Sequence, residues 1–126
     1  MAIPNTNEIL LPFLKSIANG KIYSTHNIRD LLTKYFQLTD EEANQLKLSG
    51  TESLFFNRLR WAKLYLKRAE LLSDSKSSHV KITKEGKKLL EQKPDKISPE
   101  YLKKNYPTFK EWAKKSKKSS VSKRNN

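Results

Sequence analysis

Hydrophobic residues recur every three or four positions along most of the chain, which predicts a series of amphipathic helices. The first runs from Thr6 to Ala18 and ends at Asn19-Gly20, with Pro12 either kinking it or marking its effective start. Ser24 is well placed to cap a second helix. The predicted inward face of that second helix comprises Ile28, Leu31, Leu32, Tyr35 and Phe36.

The next segment predicts a short third helix and a long fourth one. Thr39-Asp40-Glu41-Glu42 has the form of a capping box, and it opens a helix that contains Ala43 and Leu46 and ends at Ser49-Gly50. The longest periodic stretch then runs from about Thr51 to Leu71. At 100° per residue its apolar stripe comprises Phe55, Leu59, Ala62, Leu66 and Ala69, and the side chains that point away are Ser53, Phe56, Asn57, Arg60, Lys63 and Lys67.

A β-hairpin is predicted after the long helix. Its two short strands cover residues 71–73 and 79–82, and a turn of polar residues joins them. Thr83 can cap a following helix, which contains Leu89 and Leu90 and stops before Pro94. These elements predict a mainly α fold with a small β-hairpin, in the order of a winged helix-turn-helix.

The C-terminal part predicts extra helices and then a tail. Ser98-Pro99-Glu100 is a helix start with proline in the first turn. Apolar side chains that can fold back on the body are Tyr101, Leu102, Tyr106, Phe109 and Trp112. Residues 114–126 hold six basic and no acidic residues with repeated serine. We therefore predict a winged-helix domain at 1–113 and a disordered basic tail or linker at 114–126.

The net charge of +13 lies in one part of the sequence. Residues 1–50 hold five basic and five acidic residues, so the remaining 21 basic and 8 acidic residues lie in 51–126. A one-sided field of this kind attracts a polyanion, whose condensed counterions are released on binding. Solubility is the alternative explanation of the charge.

The residue inventory argues against several classes of protein. The chain has no cysteine, which excludes disulfides and thiolate-bound metal, and its two histidines, His26 and His79, are far apart. It has no apolar run near the roughly 18 residues of a membrane span and no secretory signal. No paired carboxylates or glycine-rich phosphate loop stand at the spacing of an active site. We therefore expect a cytoplasmic protein without a membrane segment, metal, cofactor or catalytic residues.

The outward face of the long helix is the candidate DNA-reading surface, because the corresponding helix of a winged helix lies in the major groove. Asn57 and Arg60 are predicted to read bases, since an amide pairs well with adenine and a guanidinium with guanine. The side chains predicted to hold phosphates are Thr51, Ser53, Lys63 and Lys67. For each of them the alternative is an ordinary solvated residue.

Several neighbouring residues have separate interpretations. Phe56 packs either on the second helix or against the methyl group of thymine or 5-methylcytosine. Trp61 and Tyr65 are predicted to be core, and Arg58 to be structural with a carboxylate as its partner. The candidate wing, for which a solvated hairpin is the alternative, comprises Lys76, Ser77, Ser78, His79 and Lys81.

A family resemblance rests on two runs in the long helix, Asn57-Arg58-Leu59-Arg60-Trp61-Ala62 and Tyr65-Leu66-Lys67-Arg68-Ala69. Shorter matches are Ile3-Pro4, Leu11-Pro12-Phe13-Leu14, Leu38-Thr39-Asp40-Glu41-Glu42, Ser49-Gly50, Ile82-Thr83 and Gly86. Through these segments the chain resembles the N-terminal domain of Mrr-like restriction endonucleases, the modification-dependent type that cleaves methylated DNA. The resemblance extends to about Trp112.

This resemblance implies a winged helix that recognises double-stranded DNA, with methylated DNA as a candidate ligand. Cleavage in the family belongs to a separate C-terminal nuclease domain, which this sequence is not expected to contain. The chain is thus either a fragment of a longer nuclease or a separate recognition module. Relatives usually have glycine where Arg60 and Glu70 stand, and a glycine in the wing.

Two other functions are compatible with the pattern. A free-standing transcriptional regulator would act as a homodimer on a palindromic site, and sedimentation would reveal the dimer. A protein-interaction adaptor would use the fold to dock a partner and would lack the steep salt dependence of DNA binding.

Overall fold

The described residues fold into short helices packed around a small sheet. The computed structural model describes residues 3–46, 50, 53–76 and 78–115. In chain order the elements are α1 (Thr6–Ser16), β1 (Tyr23–Ser24), α2 (Thr25–Tyr35), α3 (Asp40–Asn44), α4 (Leu54–Arg68), β2 (Leu72–Lys76), β3 (His79–Ile82), α5 (Lys84–Glu91), α6 (Pro99–Asn105) and α7 (107–115). The predicted mainly helical fold with a small β-hairpin is confirmed.

Side-chain caps set where helices α1 to α6 begin. The caps expected from the sequence each accept a hydrogen bond from the backbone N–H three residues later, and they are Ser24, Thr39, Thr83 and Ser98. Helix α1 starts at a cap that the sequence interpretation missed, since Asn5 and Glu8 form a reciprocal capping box. Pro12 lies inside α1, so the helix does not start there.

The second capping box, Thr39 with Glu42, also holds a charge. The backbone N–H of Thr39 donates to the Glu42 carboxylate at 2.9 Å, and this bond lowers the pKa of that carboxyl. A lowered pKa in the folded state stabilises the fold at neutral pH. That contribution is lost as the pH falls through the folded pKa.

Helix α4 is shorter than the predicted helix from Thr51 to Leu71, because Glu70 ends it. The backbone of Glu70 has a φ of 63°, in the left-handed region, and the N–H of Leu71 donates to the carbonyl of Leu66 at 2.9 Å. This is the geometry of a Schellman cap, whose left-handed residue is usually glycine. The glycine that relatives carry here would therefore suit the same backbone, and Glu70 keeps the helix end at a conformational cost.

Glu70→Gly is expected to stabilise the domain by about 1 kcal/mol, because glycine adopts a positive φ without steric cost. Glu70→Ala is the matched control, since it removes the same carboxylate but leaves a Cβ at this position. The midpoint of urea unfolding measures both. A Gly variant no more stable than the Ala variant would contradict this account of the helix end.

The core lies where α1 packs along α4, and four hydrophobic residues predicted as core or helical lie outside it. Helix α2 buries only Thr25, Ile28 and Leu32. Leu31 and Tyr35 are exposed, contrary to prediction, because they lie on the flank of this stripe, which no described element covers. Leu46 lies past the end of α3 and is exposed, and Trp61 on α4 is exposed as well.

The sheet has three antiparallel strands in the order β1-β3-β2. Strand β1 pairs with β3 through Tyr23 and Ser24, and this pairing was not foreseen from the sequence. Strand β2 also extends to Lys76, so the turn is shorter than predicted. Along β3 the side chains of Val80 and Ile82 are buried, which sets the inner face of the sheet.

The C-terminal helices fold back on α4, as predicted. Ile97, Leu102 and Phe109 are buried, and the ring of Tyr65 meets the ring of Phe109 edge to face at 5.7 Å. Burial is the main cause that raises the pKa of Tyr106 to about 12, so its phenol stays neutral. Of the helices in the described part of the chain, none is long and apolar enough to cross a membrane.

Candidate nucleic-acid interface

Helix α4 is held at its first residues by contacts to α3. The hydroxyl of Ser53 accepts a hydrogen bond from the N–H of Phe56 at 3.2 Å and donates to the carbonyl of Ala43 at 2.7 Å. The N–H of Leu54 donates to the carbonyl of Gln45 at 2.7 Å. Ser53, a predicted phosphate contact, is thus also the cap that fixes α4. Thr51 lies outside the described residues.

The outward face of α4 presents the side chains that the sequence assigned to DNA. The buried side of the helix comprises Phe55, Leu59, Ala62 and Leu66. At 100° per residue Asn57, Arg60 and Lys67 point away from that side, and Lys63 lies on its flank. Arg60 and Lys67 are exposed, and Asn57 and Lys63 are half-buried. Helix α4 contains five basic and no acidic residues, so its surface is strongly positive.

Phe56 joins this face to helix α2. Its ring stacks on the imidazole of His26, with centroids 5.7 Å apart and an angle of 11° between the ring planes. The guanidinium carbons of Arg29 and Arg60 lie 5.5 Å and 5.9 Å from the centroid of the same ring. Of the two environments predicted for Phe56, the structure shows packing on the second helix.

Arg58 has a structural role, as predicted, but its acceptors differ from the expected carboxylate. Its Nη1 donates to the backbone carbonyls of Ile3 and Pro4, at 3.1 Å each. These bonds fasten the N-terminal segment to the core side of α4. The guanidinium thereby satisfies backbone acceptors that residues before α1 leave unpaired.

Trp61 is not core, contrary to the prediction. Its side chain is 47% exposed, and its ring contacts Tyr65 at a centroid distance of 6.2 Å. Tyr65, which is half-buried, is covered by Phe109 and Trp112, which both belong to α7. Helix α7 reaches Tyr65 but leaves Trp61 open, and the sequence alone does not show which of these two rings a later helix covers.

An ion pair joins α4 to the hairpin. The ammonium of Lys67 contacts the carboxylate of Asp74 in β2, and both side chains are 44% exposed. Asp74 pairs with the buried Val80 across the sheet, which places its side chain on the inner face, towards α4. Lys67 is therefore partly neutralised, which weakens it as a phosphate contact.

The wing cations lie on the other face of the hairpin. Lys76 pairs with His79 across the sheet, and Lys81 pairs with Ser73, so the cations share the face opposite to Val80. Lys76 and Lys81 are exposed and His79 is half-buried. The structure thus groups these three side chains together, apart from Lys67.

The hairpin turn is tied to the start of α2. The backbone N–H and the hydroxyl of Thr25 both donate to the carbonyl of Ser78, at 2.9 Å and 3.1 Å. Ser78 has a φ of 60°, in the left-handed region that glycine adopts most easily. Ser77 lies outside the described residues. The first turn of α2 therefore contacts the hairpin through Thr25 and α4 through His26.

Among the described residues, no group of histidine and carboxylate side chains could hold a metal ion. The candidate interface consists of the amide of Asn57, the ring of Phe56 and the basic side chains of α4 and the hairpin. Such groups bind anions and base edges.

In a comparison with known families, the family described as the Mrr N-terminal domain matches residues 7–92. The matched region extends from α1 to the end of α5 and includes α4 and the hairpin. Searches of curated proteins and of solved structures gave no match.

Proposed function

The chain belongs to the Mrr N-terminal domain family, and from that premise we propose that it is a winged-helix module that binds double-stranded DNA. Its place in an Mrr-type restriction system would be recognition of the DNA, with methylated duplexes as candidate ligands. Cleavage would come from a nuclease domain that is fused to it or acts separately.

The winged-helix interpretation is supported by topology. Four helices, α1 to α4, precede the β2–β3 hairpin, and strand β1, which lies between α1 and α2 in the chain, joins the sheet. In this arrangement α4 is the recognition helix and the hairpin is the wing. Asn57 and Arg60 are proposed to meet base edges, and Lys63 to meet a phosphate.

The observation that carries the proposal is the charge on α4. This helix has five basic residues and no acidic one, and four of the five lie outside the contact by which Arg58 holds the N-terminal segment. The apolar side of the helix is buried against α1. A helix held in this way can enter a major groove without exposing the core, because B-DNA admits a single helix there. The flanking hairpin adds Lys76 and Lys81.

Fluorescence anisotropy of labelled duplexes tests the proposal. The domain is titrated with unmodified, cytosine-methylated and adenine-methylated duplexes of one sequence. Arg60→Ala is expected to weaken binding by roughly 10-fold, in line with the loss of one bidentate base contact. The control Lys15→Ala removes an equal charge from α1 and is expected to bind like wild type. Absence of binding to every duplex at low salt would refute the proposal.

A second candidate, a free-standing regulator that acts as a homodimer, is favoured by one observation. Ile22 and Leu31 are exposed and line an open groove beside Tyr23 and Lys34. Exposed apolar side chains in one place are typical of an interaction surface. Sedimentation velocity distinguishes the candidates, since a monomer at micromolar concentration is expected for the recognition module and a dimer for the regulator.

A further inference from the structure

We propose that Arg29 of α2, held beside the ring of Phe56 on which His26 stacks, binds one DNA backbone phosphate, which fixes the position of α4 in the groove. The inference rests on the proposed function and adds to it a contact from α2.

The ring of Phe56 brings two positive charges close together. The ring of Phe56 is contacted by three side chains from two helices, which are His26 and Arg29 of α2 and Arg60 of α4. The guanidinium carbons of Arg29 and Arg60, 5.5 Å and 5.9 Å from the same centroid, are no more than 11.4 Å apart. That distance is about one Debye length at 0.1 M salt, so both charges act on an anion placed between α2 and α4.

Asp30, the acidic residue that pairs with Arg29 in the described part of the chain, neutralises it only weakly. The Nε atom of Arg29 lies 3.8 Å from Oδ1 of Asp30, which is beyond hydrogen-bond distance. The carboxylate of Asp30 is 70% exposed and the side chain of Arg29 is 40% exposed. A pair of this kind leaves the planar fork of the guanidinium able to donate two parallel hydrogen bonds.

The position of Arg29 and Phe56 relative to α4 and the hairpin also favours a DNA ligand. Thr25, one residue before His26, binds the carbonyl of Ser78 at the hairpin turn, and Phe56 lies in the first turn of α4. The site therefore lies between the two elements proposed to contact DNA. A duplex that accepts α4 in its major groove would have its backbone beside that helix, and α2 is the element that contacts the first turn of α4, through the stacking of His26 on Phe56.

The ligand proposed for Arg29 is a phosphate rather than a base, because Arg29 lies on α2, outside the helix proposed to enter the groove, and its planar fork matches two phosphate oxygens. A phosphate contact carries no sequence information and acts by setting register and orientation. The ring of Phe56 connects the two functions. It restrains Arg29 towards the backbone and Arg60 towards the bases, which lowers the entropy lost when both bind.

The test compares Arg29→Gln with Lys34→Gln, because both variants remove one positive charge from α2 and keep a long polar side chain. Lys34 lines the groove beside Ile22 and Tyr23, whereas Arg29 does not line that groove, so the two variants remove charge from different surfaces of α2. The dissociation constant is measured for several duplex sequences between 0.1 M and 0.4 M salt. Circular dichroism confirms that each variant is folded.

Arg29→Gln is expected to reduce the slope of log K against log salt by about 0.9, and to weaken all duplexes equally, by roughly eightfold at 0.1 M salt. Arg29→Lys, which keeps the charge and would fold even where the glutamine variant did not, is expected to keep the wild-type slope. Phe56→Leu is expected to lower affinity at unchanged slope, since both charges remain but lose their shared ring.

The inference is overturned if wild type binds and Arg29→Gln keeps the wild-type slope, or if Lys34→Gln changes the slope as much. It is also overturned if Arg29→Gln weakens some duplex sequences and not others, because that is the result of a base contact. A wild-type domain that binds no duplex refutes the proposed function instead.

Discussion

Replacing Arg60 and Lys63 together by glutamate is expected to weaken binding to duplex DNA on the order of 100-fold or more. Arg60 lies on the outward face of α4 and Lys63 on the flank of its buried stripe, and each substitution replaces an attraction to phosphate or base by repulsion. Anisotropy titration at 0.1 M salt measures the effect. The fold should remain intact, because neither side chain belongs to the buried stripe of the helix.

The control for this pair is Lys15→Glu with Lys21→Glu, which changes the net charge by the same amount at exposed positions outside α2, α4 and the hairpin. It is expected to weaken binding by less than about 10-fold, through the long-range field alone. Equal losses in the two double variants would mean that net charge, and not the face of α4, determines binding.

Gly86→Ala is expected to have the largest effect on stability, a loss of about 2–3 kcal/mol. A Cβ atom on Gly86 would lie 2.3 Å from the carbonyl oxygen of Leu71 and 2.7 Å from Cγ1 of Ile82. The first neighbour is backbone at the end of α4, and the second belongs to the inner face of the sheet. The added methyl group would therefore push α5 away from Leu71 and from the hairpin.

Urea unfolding measures this loss, with Lys87→Ala as control. Lys87 is the next residue of α5 and is exposed, so its change is expected to stay within about 0.5 kcal/mol. A Gly86→Ala variant as stable as the Lys87→Ala variant would show that α5 does not pack tightly against Leu71. The close approach also accounts for Gly86 among the segments that resemble the Mrr family.

Local chemistry explains which features the sequence predicts well. The caps at Ser24, Thr39 and Thr83 depend on residues within three positions of each other, so the sequence alone specifies them. The apolar stripe of α4 likewise follows from helical period. The end of α4 was predicted too late because Glu70 takes a conformation that usually needs glycine.

Features that depend on distant parts of the chain were not predictable in this way. The helical period places Trp61 and Tyr65 near each other, but only the position of α7 decides which is covered. The pairing of Lys67 with Asp74 requires the register of the hairpin. The stacking of His26 on Phe56 requires the crossing of α2 and α4, and it explains an aromatic residue on an otherwise polar face.

The most direct test of the central claim is the salt dependence of wild-type binding to a labelled 20-base-pair duplex. If α4, the first turn of α2 and the hairpin neutralise about four phosphates, log K should fall with log salt with a slope of about −3 to −4. The dissociation constant is measured at five salt concentrations between 0.05 M and 0.3 M. A slope near zero, or no binding at 0.05 M salt, would contradict the account and favour a protein partner instead.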